Sequence, residues 1–124
     1  YNFVMLGTND LQKSSKFYDA VFEPLKLTKI ITTDRYIGYG HSNKPNGVEF
    51  YITKPKNEEP ATFGNGTMLA FLADSKEAVN KFHAIALTQG AVNEGLPGLR
   101  DDGNYYAYVR DPNGNKISAT CISN

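Results

Sequence analysis

Tyr39, Tyr51, Tyr106 and Tyr108 are where side-chain chemistry is most concentrated in this sequence. Four phenols on one concave surface would offer flat apolar area for stacking together with polar handles, a combination that holds small organic molecules. His41 has the chemistry of a general base near neutral pH, and Glu49 that of a proton acceptor or an anchor for a cationic ligand. Both also have plainer readings, His41 as a strand-end residue beside a turn and Glu49 as a rim carboxylate paired with Arg110 or Lys116. His83 reads as a structural residue on a helix flank. Cys121 is the single cysteine. It can close no intrachain disulfide and supply no thiolate cluster, and an inert buried thiol is expected. No Ser-His-Asp or Cys-His arrangement and no phosphate-cradling glycine loop can be built from these residues.

Composition narrows the partners. Thirteen Lys and Arg balance thirteen Asp and Glu in 124 residues, without the basic excess that nucleic acid or an anionic membrane surface requires. With 40% hydrophobic residues, the chain can fold and has the length of one domain, 1–124. It has no apolar run of membrane-spanning length and no signal-peptide pattern, so a reducing cytoplasm is expected.

The elements that must position the tyrosines come in two copies. Val4 to Leu6 read as a strand, followed by Asn9-Asp10-Leu11-Gln12, which has capping-box spacing with Asn9 as the cap. Leu11, Ser14 or Ser15, Tyr18, Val21 or Phe22 and Leu25 then recur at helical spacing, and Pro24 marks the end. Met68 to Ala73 repeats the strand, Asp74-Ser75-Lys76-Glu77 the cap, and Ala78, Val79, Phe82 and Ala86 the stripe up to Gly90. Asn9 thus matches Asp74, Gln12 matches Glu77 and Phe17 matches Phe82, at an offset of 65. Pro45-Asn46-Gly47 recurs as Pro112-Asn113-Gly114 at an offset of 67, joining Arg35–Ser42 to Val48–Thr53 and Tyr105–Arg110 to Lys116–Ile122. With short strands at Leu27–Thr32 and Ala91–Glu94, the chain reads as strand, helix and three strands written twice: about 1–53 and 66–124, joined by a linker over about 54–65. The glycine-rich segment 93–104 is read as a connection able to act as a flap.

One helix covers one face of a four-stranded sheet, so two such units turn their other faces toward a shared cleft. Alternation assigns Ile117, Ala119 and Cys121 to the helix and Lys116, Ser118 and Thr120 to the cleft. In the first copy, Val48, Phe50 and Ile52 go to the helix and Glu49, Tyr51 and Thr53 to the cleft. Tyr106, Tyr108 and Arg110 face the cleft, and the turn offset maps the first two onto Tyr39 and His41. The opening strands add Phe3, Met5 and Gly7, and Met68, Ala70 and Leu72.

Gly7-Thr8-Asn9-Asp10-Leu11 followed by Phe17-Tyr18, Gly66-Thr67 before a capped helix, and the run from Tyr105 through Arg110-Asp111-Pro112-Asn113-Gly114-Asn115-Lys116-Ile117 resemble the glyoxalase/bleomycin-resistance/dioxygenase group, the vicinal oxygen chelate superfamily. The resemblance covers nearly the whole chain. It implies an α+β, glyoxalase-like fold of two βαβββ units forming curved sheets around a cleft, and a homodimer. Metal-dependent members place His or Glu at the start of each opening strand and on the last strand of each unit. By motif those positions here are Phe3, Tyr51, Met68 and Ser118. Divalent ions of this kind take imidazole and carboxylate donors, which these four do not supply, a tyrosinate at Tyr51 excepted.

The expected function is therefore metal-independent and cofactor-free binding of a small, partly apolar organic molecule in an aromatic cleft. The cleft residues are Phe3, Met5, Tyr39, His41, Glu49, Tyr51, Met68, Tyr106, Tyr108, Arg110 and Ser118. The alternative is an enzyme of glyoxalase or dioxygenase type, a lyase or oxidoreductase that recruits a metal through His41, Glu49 and Tyr51. A pure interaction module is a third class.

Overall fold

A computed structural model describes residues 1–42 and 44–123. The first unit contains β1 (Val4–Gly7), α1 (Leu11–Phe22), β2 (Thr28–Thr32), β3 (Tyr36–Gly40) and β4 (Phe50–Thr53). The second contains β5 (Leu69–Leu72), α2 (Lys76–Thr88), β6 (Val92–Leu99), β7 (Tyr105–Arg110) and β8 (Lys116–Cys121). Each unit forms a sheet of the same topology, β1-β4-β3-β2 and β5-β8-β7-β6. In both, the opening strand runs parallel to the last strand and the other pairs are antiparallel. The duplicated βαβββ architecture is thus present, with sheets that curve without closing.

The helix starts lie one residue later than expected, in both copies alike. Asp10 Oδ1 accepts from Lys13 N at 3.0 Å, and Ser75 Oγ accepts from Ala78 N at 3.1 Å. Because both caps move in the same direction, the offset of 65 survives, and Phe17 and Phe82 are both buried. The residues expected as caps have other work. Asn9 grips the linker through Ala61, accepting from its N at 2.7 Å and donating to its O at 3.1 Å. Asp74 pairs with Lys26 at 2.7 Å. Each helix closes through a turn that satisfies a terminal carbonyl, Leu27 N to Phe22 O and Ala91 N to Ala86 O, with Lys26 and Gly90 in the left-handed region.

One core fuses the two units. Phe22 of α1 meets Tyr39 and Phe50 of its own sheet edge-on and Phe71 of β5 at 4.9 Å. Phe50 also reaches Phe71, at 5.5 Å. A second joint is polar. The Pro112-Asn113-Gly114 turn, expected only to link β7 to β8, docks on the start of unit one. Asn113 Nδ2 donates to Thr8 Oγ1 and Ser14 Oγ, both at 3.0 Å, and Asn115 Nδ2 donates to the Gly7 carbonyl at 3.0 Å.

Two strand assignments differ from expectation. β6 runs to Leu99, hydrogen-bonded to β7 through two register shifts, so most of the segment expected as a flap is sheet. β3 presents the opposite faces. Tyr39 is opposite Phe50, whereas its structural counterpart Val109 is opposite Ile117. The first unit therefore uses three more residues than the second between these partners. An odd difference turns the whole strand over. Ile37 and Tyr39 consequently meet the helix side, and Tyr36, Gly38 and Gly40 point the other way.

Candidate functional site

The register of the second sheet sets out a grid on the face opposite α2. Met68 precedes β5, with Ala70 and Leu72 following on the same face; β8 contributes Lys116, Ser118 and Thr120, and β7 contributes Arg110, Tyr108 and Tyr106. Tyr106 and Tyr108 stack with planes 9° apart and centroids 5.6 Å apart. Small side chains fill the centre of the grid. Ser118 and Thr120 are buried, and Ser118 Oγ donates to the Ala119 carbonyl at 3.3 Å. Thr120 Oγ1 is buried and has no hydrogen-bond partner among the described residues.

Tyr108 has cations on its ring. Arg100 and Lys116 each lie 5.3 Å from its centroid. Arg100 is fixed by donating to the carbonyls of Leu96 at 2.7 Å and Leu99 at 3.3 Å. A Cβ on Gly95 would come within 2.7 Å of the Tyr108 ring and 3.3 Å of the guanidinium, and one on Gly98 within 3.0 Å of the guanidinium. These glycines make the space in which Arg100 rests against Tyr108. Arg110 is engaged otherwise, donating to Glu94 at 2.6 Å and to the Gly114 carbonyl at 2.9 Å. That Arg110 bond holds the Glu94 carboxyl below its usual range. Tyr106 donates to Asp102, which raises the phenol pKa and lowers that of the carboxyl.

The matching face of the first sheet is aromatic, with one cation on it, Arg35, 5.3 Å from the Tyr36 centroid. Tyr51 takes Phe3 edge-on at 4.8 Å and Tyr36 edge-on at 5.3 Å. Gly38 lies under it: a Cβ there would meet Tyr51, Ile31 and Val48 at 2.9 to 3.0 Å. Met5 is directly opposite Tyr51 on β1. Val48, expected on the helix side, is therefore part of this face. Tyr36, absent from the expected set, replaces Tyr39; the alternation of glycines with Ile37 and Tyr39 was the available signal.

One expected cleft residue lies elsewhere. Tyr39 is 1% exposed among Tyr18, Phe22 and Phe50, and its hydroxyl donates to Asp19 at 2.8 Å. His41, just past the end of β3, pairs with Glu49, whose Oε2 accepts from the His41 backbone N and lies 2.8 Å from its Nδ1. The backbone bond and the ring hold the Glu49 carboxyl low against a desolvation that acts in the opposite sense. His83 is buried, with Nε2 2.8 Å from Asn93 Oδ1, as a structural residue should be. Cys121 is only half-buried.

Three of the four residues at the positions the resemblance implies for a metal, Phe3, Met68 and Ser118, are unsuited to a divalent ion. Phe3 packs against Tyr51, Met68 offers a thioether, and the Ser118 hydroxyl is committed to a backbone carbonyl. His41 and Glu49 pair with each other, Glu49 Oε2 lying 2.8 Å from His41 Nδ1. Among the described residues no three His, Cys, Asp or Glu are grouped to hold a metal ion.

The two faces are open in a single chain. Phe3, Met5, Met68 and Leu72 are between 42% and 61% exposed. Among the described residues no strand of one sheet comes within 8 Å, Cα to Cα, of a strand of the other. A cavity of about 550 Å³ lies between the ends of β1 and β4 and the linker, around Arg35, Lys54 and Glu58.

The family model described as Glyoxalase/Bleomycin resistance protein/Dioxygenase superfamily matches residues 1–119. Comparison with curated proteins finds no match. Among solved structures, a glyoxalase/bleomycin resistance protein from Albidiferax ferrireducens T118 is 42% identical, with a TM-score of 0.89 over 99% of this chain and 98% of that one. A lactoylglutathione lyase from Agrobacterium tumefaciens shares the fold at 20% identity and a TM-score of 0.67, over 98% and 92% of the two chains. So does a fosfomycin resistance protein from Listeria monocytogenes, at 15% identity and a TM-score of 0.70, over 99% and 93%. The duplicated unit, its topology and a match over nearly the whole length agree: this chain belongs to the glyoxalase/bleomycin resistance protein/dioxygenase superfamily.

Proposed function

We propose that this protein binds a small, partly apolar organic molecule between the two aromatic sheet faces, without a metal ion, as a cytoplasmic homodimer. The observation that carries this reading is the pair of aromatic clusters on the faces turned away from the helices, Phe3-Tyr51-Tyr36 on one sheet and Tyr106-Tyr108 on the other. Flat rings with hydroxyl edges, left partly uncovered, suit a planar guest. Because the two faces of one chain stay open, a second copy completes each cleft, the first sheet of one chain facing the second sheet of its partner. The exposed apolar residues of β1 and β5 support that assembly. The donor set argues for metal independence, since thioether, phenyl and a committed serine hydroxyl do not bind zinc, nickel or iron(II) as imidazole and carboxylate do.

Titration with small aromatic compounds while following tyrosine emission tests the reading directly, because the chain has no tryptophan to mask that signal. The expected result is saturable binding that is lost in Tyr51→Ala and Tyr106→Ala and is unchanged by chelator. Protein purified without chelator that carries one metal ion per chain, and binds only with it, would overturn the metal-free part. Absence of saturable binding would overturn the whole.

A further inference from the structure

Both faces of the cleft carry cations on their tyrosines, one on the first sheet and a cluster on the second, and their sign points to the ligand class. On the second sheet, Arg100, Arg110 and Lys116 surround the Tyr106-Tyr108 stack, opposed by Glu94 and Asp102. Glu94 is taken by Arg110, and Asp102 accepts from Tyr106 and the Asn104 backbone. The ion pairs among the described residues are Lys26–Asp74, Lys29–Asp19, His41–Glu49 and Arg110–Glu94. Arg100 and Lys116 are in none of them.

Their positions are not those of two side chains free in solvent. The Arg100 guanidinium spans two carbonyls of its own strand and lies in the space that Gly95 and Gly98 leave open, which sets its plane before any ligand arrives. Two of its five N–H donors are used there and the others are available to an anion. Lys116 stands at the same ring, and the fields of the two add. The first-sheet face opposes them with aromatic residues, Phe3, Tyr36 and Tyr51, and with one further cation, Arg35, 5.3 Å from the Tyr36 centroid. On the second face, Thr120 adds a buried hydroxyl that lacks a partner among the described residues, on the strand position opposite Tyr106.

We infer that the ligand is an aromatic or otherwise planar organic anion, its carboxylate, sulfonate or similar group held by Arg100 and Lys116 beside Tyr108 and its apolar part between the tyrosines. This rests on the cleft reading above and sharpens it by excluding neutral and cationic guests as the preferred class.

Two dyes with one ring skeleton separate the claims. 1-Anilinonaphthalene-8-sulfonate carries the anion, and N-phenyl-1-naphthylamine is the same molecule without it. The wild-type dimer is expected to bind both, with the affinity for the sulfonate falling as salt rises to about 0.3 M and that for the neutral dye holding steady. Arg100→Gln and Lys116→Gln should each weaken the sulfonate dye about fivefold, and more than they weaken the neutral dye, which meets the same Tyr108 ring. Circular dichroism reports that each variant is folded. Sulfonate binding that is indifferent to salt and to both substitutions would overturn the anion assignment while leaving the cleft standing. Failure of either dye to bind the wild-type protein would remove the cleft reading and this inference together.

Discussion

Tyr18 and Asp111 are 93 positions apart in the chain, yet the Tyr18 hydroxyl donates to Asp111 Oδ2 at 2.6 Å, with both side chains buried between the two units. The carboxylate also receives Asn115 Nδ2 at 3.0 Å and the backbone N–H groups of Asn113 and Asn115. A buried carboxylate is tolerated only when so surrounded. Tyr18→Phe removes one donor of four and should cost about 1–2 kcal/mol of unfolding free energy in urea. Asp111→Ala leaves three of the four donors without an acceptor, Asn115 Nδ2 keeping the Gly7 carbonyl, and should cost more. Equal costs would show that Asp111 does not organise the joint.

The same contact governs alkaline stability. Burial first, and then the neighbouring Asp111, raise the Tyr18 pKa well above the ordinary phenol value. Burial and the bond to Asp19 raise that of Tyr39. A phenol that holds its proton more tightly when folded contributes stability that is fully present below the unfolded pKa of about 10. That contribution is lost as pH rises through the folded value. Stability should therefore fall with pH above about 10, and the fall should be shallower in Tyr18→Phe and Tyr39→Phe. Followed by ultraviolet absorbance, these two of the eight tyrosines should ionise only with unfolding. Complete phenol titration in a folded protein would refute the buried assignments.

Much of this architecture is legible in the sequence, because helix caps, apolar stripes and turn residues are local signals. Both helices and the strands lie where those signals put them, within a few residues, except that β6 runs five residues beyond its expected end. What failed was relative. Matching the two Pro-Asn-Gly turns carries one register across from one hairpin to the other, whereas the first hairpin is longer by three residues, and Tyr39 changes face as a result. The glycines at 38 and 40, alternating with Ile37 and Tyr39, did hold the answer: bulky apolar residues go to the core and glycine to where Tyr51 must fit. Arg100 was legible as a residue but not as a site component, since its place depends on bulges in β6 that no periodicity announces.

Gly38 supports the aromatic face of the first sheet, so it couples stability to binding. In Gly38→Ala the new methyl would stand 2.9 Å from Ile31 Cγ2 and Val48 Cγ1 and 3.0 Å from Tyr51 Cε1. Relief requires the Tyr51 ring to shift, away from its edge contacts with Phe3 and Tyr36. The expected cost is about 1–3 kcal/mol in urea unfolding, together with weaker binding of N-phenyl-1-naphthylamine under conditions where the variant is still folded. Loss of stability with unaltered dye affinity would mean that Tyr51 is not part of the cleft wall.

Assembly decides whether the two faces ever meet. Light scattering at micromolar protein should give twice the 13.7 kDa chain mass. Met5→Glu and Leu72→Glu, at positions 44% and 61% exposed in the single chain, should return monomers that are folded but do not bind dye. Complementation gives the sharper result. Tyr51→Ala damages the first-sheet face and Tyr106→Ala the second, so homodimers of either have two defective clefts. If each cleft draws one face from each copy, a mixed dimer has one cleft with both lesions and one with neither. Refolding the two variants together at equal amounts makes half the dimers mixed, and about a quarter of the wild-type binding capacity should return. If both faces of a cleft came from the same chain, mixing would restore nothing.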